Sequence, residues 1–262
     1  MGLDLQSLRL FRPVMWVGSV LQMFSNDSPF LNIPQALDAR QALYIDGLRH
    51  AAQIADLAYR RLCSGLTEHV LSYCRNERPS EFTYLYLDAW AFIDATDRFR
   101  SLWKMQPGTE SMPGQFAPAK VQEKLEGIRQ LRNVSAHIAQ KIDQIVSLKS
   151  SVLGSLSWVT AVSHTPLVVK TCFIRPGVMP AKVSDQLAMP AGRVDFVNES
   201  GWITMNAGKH KVVLSEAYTV LVELVSYAEQ ALSAAFSDPT FETKRPADMF
   251  GMAELDTGKH DY

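Results

Sequence analysis

Leu131-Arg132-Asn133-Val134-Ser135-Ala136-His137 lies inside a helical pattern running from about Ala119 to Ser150, and the way this stretch folds decides the architecture. Successive helical residues are offset by about 100°. Val121, Ile128, Leu131, Ile138, Ile142 and Ile145 then gather on one side, a stripe suited to burial. Arg129, Asn133, His137, Gln140 and Gln144 share the opposite side, which is rich in hydrogen-bonding groups. Arg132 falls at the edge of the apolar stripe, roughly 140° round the axis and 7.5 Å along it from His137. A straight helix does not readily bring this guanidinium and imidazole together. Three arrangements stay open: the arginine reaches round, the helix bends, or a second copy of the helix completes the pair.

The spacing Arg132-Asn133-Val134-Ser135-Ala136-His137 resembles the Arg-x4-His signature of the HEPN superfamily (higher eukaryotes and prokaryotes nucleotide-binding), small helical bundles of which many are metal-independent ribonucleases. The Arg-Asn-x-x-Ala-His form is similar to variants found in toxin and defence members. The resemblance implies an endoribonuclease that cuts single-stranded RNA to a 2′,3′-cyclic phosphate and a 5′-hydroxyl. It implies a homodimer with motif helices facing, a toxin or antiphage defence setting, and an antitoxin or regulatory protein as a further partner. No cofactor and no metal are expected.

The residue chemistry suits that activity. A histidine titrates near neutral pH and can move the proton of a ribose 2′-hydroxyl. A guanidinium matches phosphate oxygens in a forked geometry and opposes the charge of the transition state. His137 is thus the candidate general base or acid, Arg132 the phosphate clamp and Asn133 the positioning group. Arg129, Gln140 and Lys141 are candidate substrate contacts. The plainer alternative is that Arg, Asn and His are ordinary residues of a solvated helix face. Two further readings are a non-catalytic HEPN-like nucleotide/RNA-binding or protein-interaction scaffold, and an unrelated helical interaction protein.

Outward from the motif, the fold expected is mainly α (α+β): an HEPN-like antiparallel bundle of four long helices with a small antiparallel β insertion between the third and fourth. Residues 1–34 read as an N-terminal arm in which Trp16, Phe24 and Phe30 dock on the bundle. Residues 35–150 carry the first three helices. The first runs from about Gln35 to Tyr73, with Gly47 and Gly65 as points where it can bend or break. The second starts at Ser80, an N-cap candidate, and reaches about Met105. In it Asp94 and Arg98 form an i,i+4 pair, and Asp88, Asp94 or Asp97 are candidates to hydrogen-bond His137 or Arg132. The Pro- and Gly-rich connection before the motif helix offers Gln115 and Phe116 as possible base contacts. Within residues 151–213 the period changes to alternation, giving strands at Leu156–Val162, Leu167–Ile174, Arg193–Val197, Trp202–Met205 and His210–Val213. Residues 214–236 form the fourth helix, and 237–262 an extended or mobile tail. The whole reads as a single domain.

The chain of 262 residues is 47% hydrophobic and 20% charged with net charge −1, an ordinary globular composition rather than an electrostatic glove for nucleic acid. Its charge is uneven, however. Residues 117–150 hold Lys120, Lys124, Arg129, Arg132, Lys141 and Lys149 against Glu123, Glu126 and Asp143, a locally basic helix suited to RNA. Cys63, Cys74 and Cys172 lack zinc or Cys-x-x-Cys spacing, so free buried thiols and a cytoplasmic setting are expected. Val14 to Phe24 is too short to span a membrane and lacks a cleavage site after it. Neither a glycine-rich phosphate loop nor a nucleophile elbow is present.

Overall fold

A computed structural model describes residues 23–77, 81–105, 112–148, 150–177, 194, 196–197, 199–237, 243–244, 248 and 251–252. The first long helix, α1 (Ala39–Cys74), opens with a capping box: Asp38 Oδ1 accepts from the Gln41 backbone at 2.8 Å and Gln41 Oε1 accepts from the Asp38 backbone at 3.2 Å. Two orphan amide groups of the first turn are thereby satisfied. Neither glycine interrupts α1. A Cβ at Gly47 would stand 3.1 Å from Leu102 Cδ1, and one at Gly65 would stand 2.6 Å from Leu85 Cδ2. Both residues belong to α2 (Thr83–Lys104), so the glycines let two antiparallel helices approach closely.

The expected four-helix bundle with a small insertion is not the architecture. Among the described residues the chain is a mixed α+β fold of six α-helices and a five-stranded antiparallel sheet. The predicted third helix is several short pieces: α3 (Pro118–Lys124), α4 (Glu126–Ala136), a 3-10 turn at Ile138–Lys141, and α5 (Ile142–Ser147). Leu125 breaks the first junction with φ −104° and ψ 11° while its side chain is fully buried. At the second junction burial of the predicted stripe becomes discontinuous. Val134 is 3% exposed and Ile145 of α5 is 3% exposed, yet Ile142 between them is 45% exposed. Packing rather than propensity sustains most helices, and the helix does not continue unbroken where one of its apolar residues is left in water.

The sheet comprises β2 (Ser155–His164), β3 (Leu167–Ile174), β4 (Phe196–Val197), β5 (Ser200–Ala207) and β6 (His210–Val213). Its order is β3-β2-β5-β4, with β6 also pairing β5. The last helix, α6 (Leu214–Ala235), follows β6 directly. Far from decorating a bundle, the sheet builds the core. Leu156, Trp158, Ile174, Ile203 and Met205 belong to one apolar cluster with Leu62, Phe92, Leu131 and Leu221 from the helices. Burying an apolar sheet face against helices is a standard two-layer solution.

A chain of polar groups inside this interface is mutually satisfied, while the buried hydroxyls of Ser157 and Thr204 have no partner among the described residues. Trp158 Nε1 donates to Thr160 Oγ1 at 2.8 Å, Thr160 meets Ser200 at 3.0 Å, and Ser200 meets Thr67 of α1 at 2.7 Å. Tyr86 of α2 donates to the Ile174 carbonyl at 2.9 Å, while Tyr59 of α1 donates to Ser215 of α6 at 2.9 Å. Each such bond fixes one helix against the sheet or its neighbour at low dielectric.

Phe24 and Phe30 of the N-terminal segment are buried and their rings pack 4.9 Å apart; Trp16 lies outside the described residues, as do Ser80 and much of the predicted tail. The described part of that tail is docked rather than merely extended. The short strand β1 (Ile33–Pro34) pairs antiparallel with β7 (Thr243–Lys244), and Asp248 reaches Arg49 of α1 at 2.9 Å. Arg49 itself, expected on an outer face, is only 4% exposed.

Gly154 turns the chain into β2 with φ +82°, where an added Cβ would collide with the Asn206 carbonyl oxygen of β5. Gly154→Ala should therefore cost about 1–3 kcal/mol. In urea unfolding the midpoint falls while the slope is unchanged.

Candidate functional site

Helix α4 is held between α2 and the β5–β6 hairpin. On the hairpin side a Cβ at Gly127 would stand 2.8 Å from Val212 Cγ2, and Val134 lies over Gly208. On the other side Arg132 reaches α2, where Nε donates to Asp94 Oδ1 at 3.0 Å and Nη1 lies 3.5 Å from Asp97 Oδ2. Two of the candidate carboxylates thus do meet the motif arginine, whereas Asp88 pairs with Arg61 at 3.3 Å.

The pair sits in a longer network. Asp94 also takes Arg98 at 2.7 Å, the predicted i,i+4 contact. Asp97, with a side chain 6% exposed, also accepts from Arg100 Nε at 2.8 Å. Arg100 in turn hydrogen-bonds Gln122 of α3, whose Nε2 donates back to the Arg100 carbonyl at 2.9 Å. Helices α2, α3 and α4 are therefore joined through three guanidinium groups and two carboxylates. One net positive charge remains.

Arg132 is 45% exposed and lines a groove of about 290 Å³ with Trp90, Ile93, Asp94, Ser135 and Ala136. Its Nη2 makes no bond among the described residues. Trp90 is half-buried, so part of its indole supplies an aromatic wall beside the guanidinium. The residue was not foreseen as part of the site. Its signal was present in the sequence as Trp90, Asp94 and Asp97 at i, i+4 and i+7, one side of a helix.

His137 does not lie mid-helix as expected. It caps the C-terminal end of α4 with φ −121° and ψ 32°, and its exposed side chain has no hydrogen-bond partner among the described residues. The path of the chain changes at the histidine itself, and this change does not bring the imidazole into the groove with Arg132. Asn133 is half-buried, Gln140 is exposed, and Lys141 closes the 3-10 turn. Arg129 is exposed and 3.6 Å from Glu126. The groove gathers Arg132 with Trp90 and Asp94; Arg129, Gln140 and His137 are not among its lining residues. Phe116 is engaged elsewhere, stacked on Tyr227 at 4.1 Å while its carbonyl accepts from Trp103 Nε1.

Thiol chemistry finds little support. Of the three free cysteines only Cys63 is fully buried, against the expectation for all three. Burial pushes the Cys63 thiol up to about 12 and that of Cys172 to about 11, leaving little thiolate at neutral pH. Among the described residues no group of three or more His, Cys, Asp or Glu is placed to hold a metal, and no helix is long and apolar enough to cross a membrane. The chain matches no family model, no curated protein and no solved structure.

The two carboxylates differ sharply in consequence. Asp97→Ala leaves the buried Arg100 guanidinium without a carboxylate and should cost about 3–5 kcal/mol in urea unfolding. Asp94→Ala removes two solvent-screened pairs, to Arg98 and Arg132, and should cost no more than about 1 kcal/mol. Equal losses would show that Asp97 does not anchor the network.

Proposed function

We propose that the α2–α4 groove is the substrate site of a metal-independent endoribonuclease acting on single-stranded RNA. The observation that carries this reading is Arg132, a guanidinium held through Nε by Asp94 and through Nη1 by Asp97, in a residue that lines an open groove beside Trp90. A phosphate oxygen takes Nη2, and a neighbouring base stacks against the indole, a contact available to any base. Pre-set orientation matters because a donor already aimed at developing charge needs no reorganisation during reaction.

The reaction is an in-line attack of the ribose 2′-hydroxyl on the adjacent phosphorus. His137 accepts the hydroxyl proton, the P–O5′ bond breaks, and the products are a 2′,3′-cyclic phosphate and a 5′-hydroxyl. The departing 5′ oxygen needs a proton as well. One imidazole per motif makes a second copy of the chain the natural source of that group, so the active species is proposed to be a homodimer with the ends of two α4 helices adjacent. Asn133, Arg129, Gln140 and Lys141 contact or position the RNA. The setting proposed is a cytoplasmic toxin or antiphage system, held in check by an antitoxin or regulatory protein.

A second reading keeps the groove and drops the chemistry: a non-catalytic HEPN-like nucleotide/RNA-binding or protein-interaction scaffold. It is favoured by the carboxylates already on Arg132 and by an imidazole that no group among the described residues orients. The two readings part in one assay. Purified chain in EDTA should cut unstructured RNA, and His137→Ala should slow it about 10²- to 10⁴-fold with little change in stability. Arg132→Ala should slow it comparably. Binding of RNA without cleavage selects the scaffold, and cleavage that survives both substitutions removes these residues from the reaction.

A further inference from the structure

A second cavity, of about 530 Å³, runs along α1 away from the motif. Arg49, Gln53, Asp56 and Arg60 line it from one side of the helix, and Phe24 and Leu31 of the N-terminal segment face them. The volume lies within the range of small-molecule sites, which combine apolar walls with a few placed polar groups.

Arg49 defines one end. Its side chain is only 5% exposed, so its charge requires an anionic partner. Asp46, one helical turn earlier, supplies one at 2.8 Å, and His50 Nε2 lies 2.8 Å from the same Nη2. The second anion is Asp248 at 2.9 Å, a residue distant in sequence whose own side chain is 71% exposed. At the far end Asp56 is buried, hydrogen-bonded to Arg60 and accepting from Tyr218 Oη at 2.7 Å.

The charges select the kind of anion. Arg49 is balanced by Asp46 and Arg60 by Asp56, so the position held by Asp248 takes one surplus negative charge. A phosphate dianion there would add another beside two carboxylates already present. A single carboxylate fits, and the cavity beyond it is walled by Phe24, Leu31 and Leu57. Arg49 holds the Asp248 carboxyl below its usual range, so this side chain is an anion at neutral pH.

We propose that this cavity binds a small monocarboxylate with an apolar body, its carboxylate on Arg49, and that Asp248 occupies the carboxylate position as an intramolecular competitor. The acid lies along α1 with its apolar part against Phe24 and Leu31. Gln53 hydrogen-bonds whatever polar group it carries midway. Binding displaces Asp248 from Arg49 and from His50 of α1, which lies 3.6 Å from the same carboxylate oxygen, so occupancy of the cavity is read out in the C-terminal segment.

Calorimetric titration of the full chain with phenylacetate tests this, with inorganic phosphate, benzyl alcohol and N-acetyl-aspartyl amide as the other probes. Removing a competitor raises the fraction of open sites, so Asp248→Ala should bind phenylacetate about tenfold more tightly than the unsubstituted chain. In that background Arg49→Gln should abolish binding. Should Arg49→Gln fail to fold, Leu57→Trp, a replacement at an exposed wall of the cavity, should abolish it by filling the space. Equal affinity with and without Asp248 overturns the proposal, as does binding of phosphate or benzyl alcohol as tightly as phenylacetate. Tighter binding of N-acetyl-aspartyl amide also overturns it, since an acidic peptide segment is then the occupant.

Discussion

Asp97 stands almost fully buried on α2 with a guanidinium on either oxygen, Arg100 from its own helix and Arg132 from α4. A carboxylate in that position cannot be left alone in the core, and neither can Arg100. The three groups must be brought together or all remain solvated. Such a cluster adds little net stability compared with an apolar replacement, but it discriminates strongly among alternative packings. Sliding α4 by one turn along α2 would strand one charge and bury another. The position of Arg132 in its groove, and so the whole candidate site, follows from that restriction.

A second restriction is distance. Glycines at positions 47 and 65 let α1 and α2 nest, and a third at 127 lets α4 settle on the β5–β6 hairpin. Interiors are packed nearly as densely as organic crystals, so an extra methyl group at such points has to displace a neighbour. Close approach to the hairpin on one side, and the ion pairs to the long helix α2 on the other, fix the position of α4 despite its short length. The chain direction then changes at His137, and the imidazole emerges into solvent next to an ordered helix end.

Local chemistry was legible in the sequence where it acted alone. The strands Leu167–Ile174 and His210–Val213 were placed to the residue, because alternation and the turns around them are decided by near neighbours. The ion pair of Asp94 with Arg98, and the meeting of Asp94 and Asp97 with Arg132, could be anticipated from spacing and charge. Tertiary consequences could not. Ile138, Ile142 and Ile145 continue a helical period, but nothing in that period reveals that Ile145 is covered while Ile142 is left exposed. Gly47 and Gly65 read as weak points because a sequence displays their freedom and hides the helix that exploits their small size. Arg49 read as lying off the apolar face of its helix for the same reason: its burial depends on segments far away in the chain. The weight given to the helices also concealed that β2 lies at the centre of the core, since a strand that carries serine and threonine between its apolar residues reads as half-exposed.

The outer margin of the sheet has its own implication. Among the described strands β3 (Leu167–Ile174) has a neighbour on one flank only, which makes it the edge of the sheet. Leu167, Val168 and Val169 are substantially exposed there, a composition that in unguarded form templates strand-on-strand growth between molecules. Lys170 interrupts the run and bonds Cys74 Sγ at 3.3 Å, so any molecule stacking on this margin would have to strip an ammonium of its hydration. A charge set beside exposed valines on an edge strand is the kind of guard that opposes strand-on-strand growth, a task separate from folding the chain.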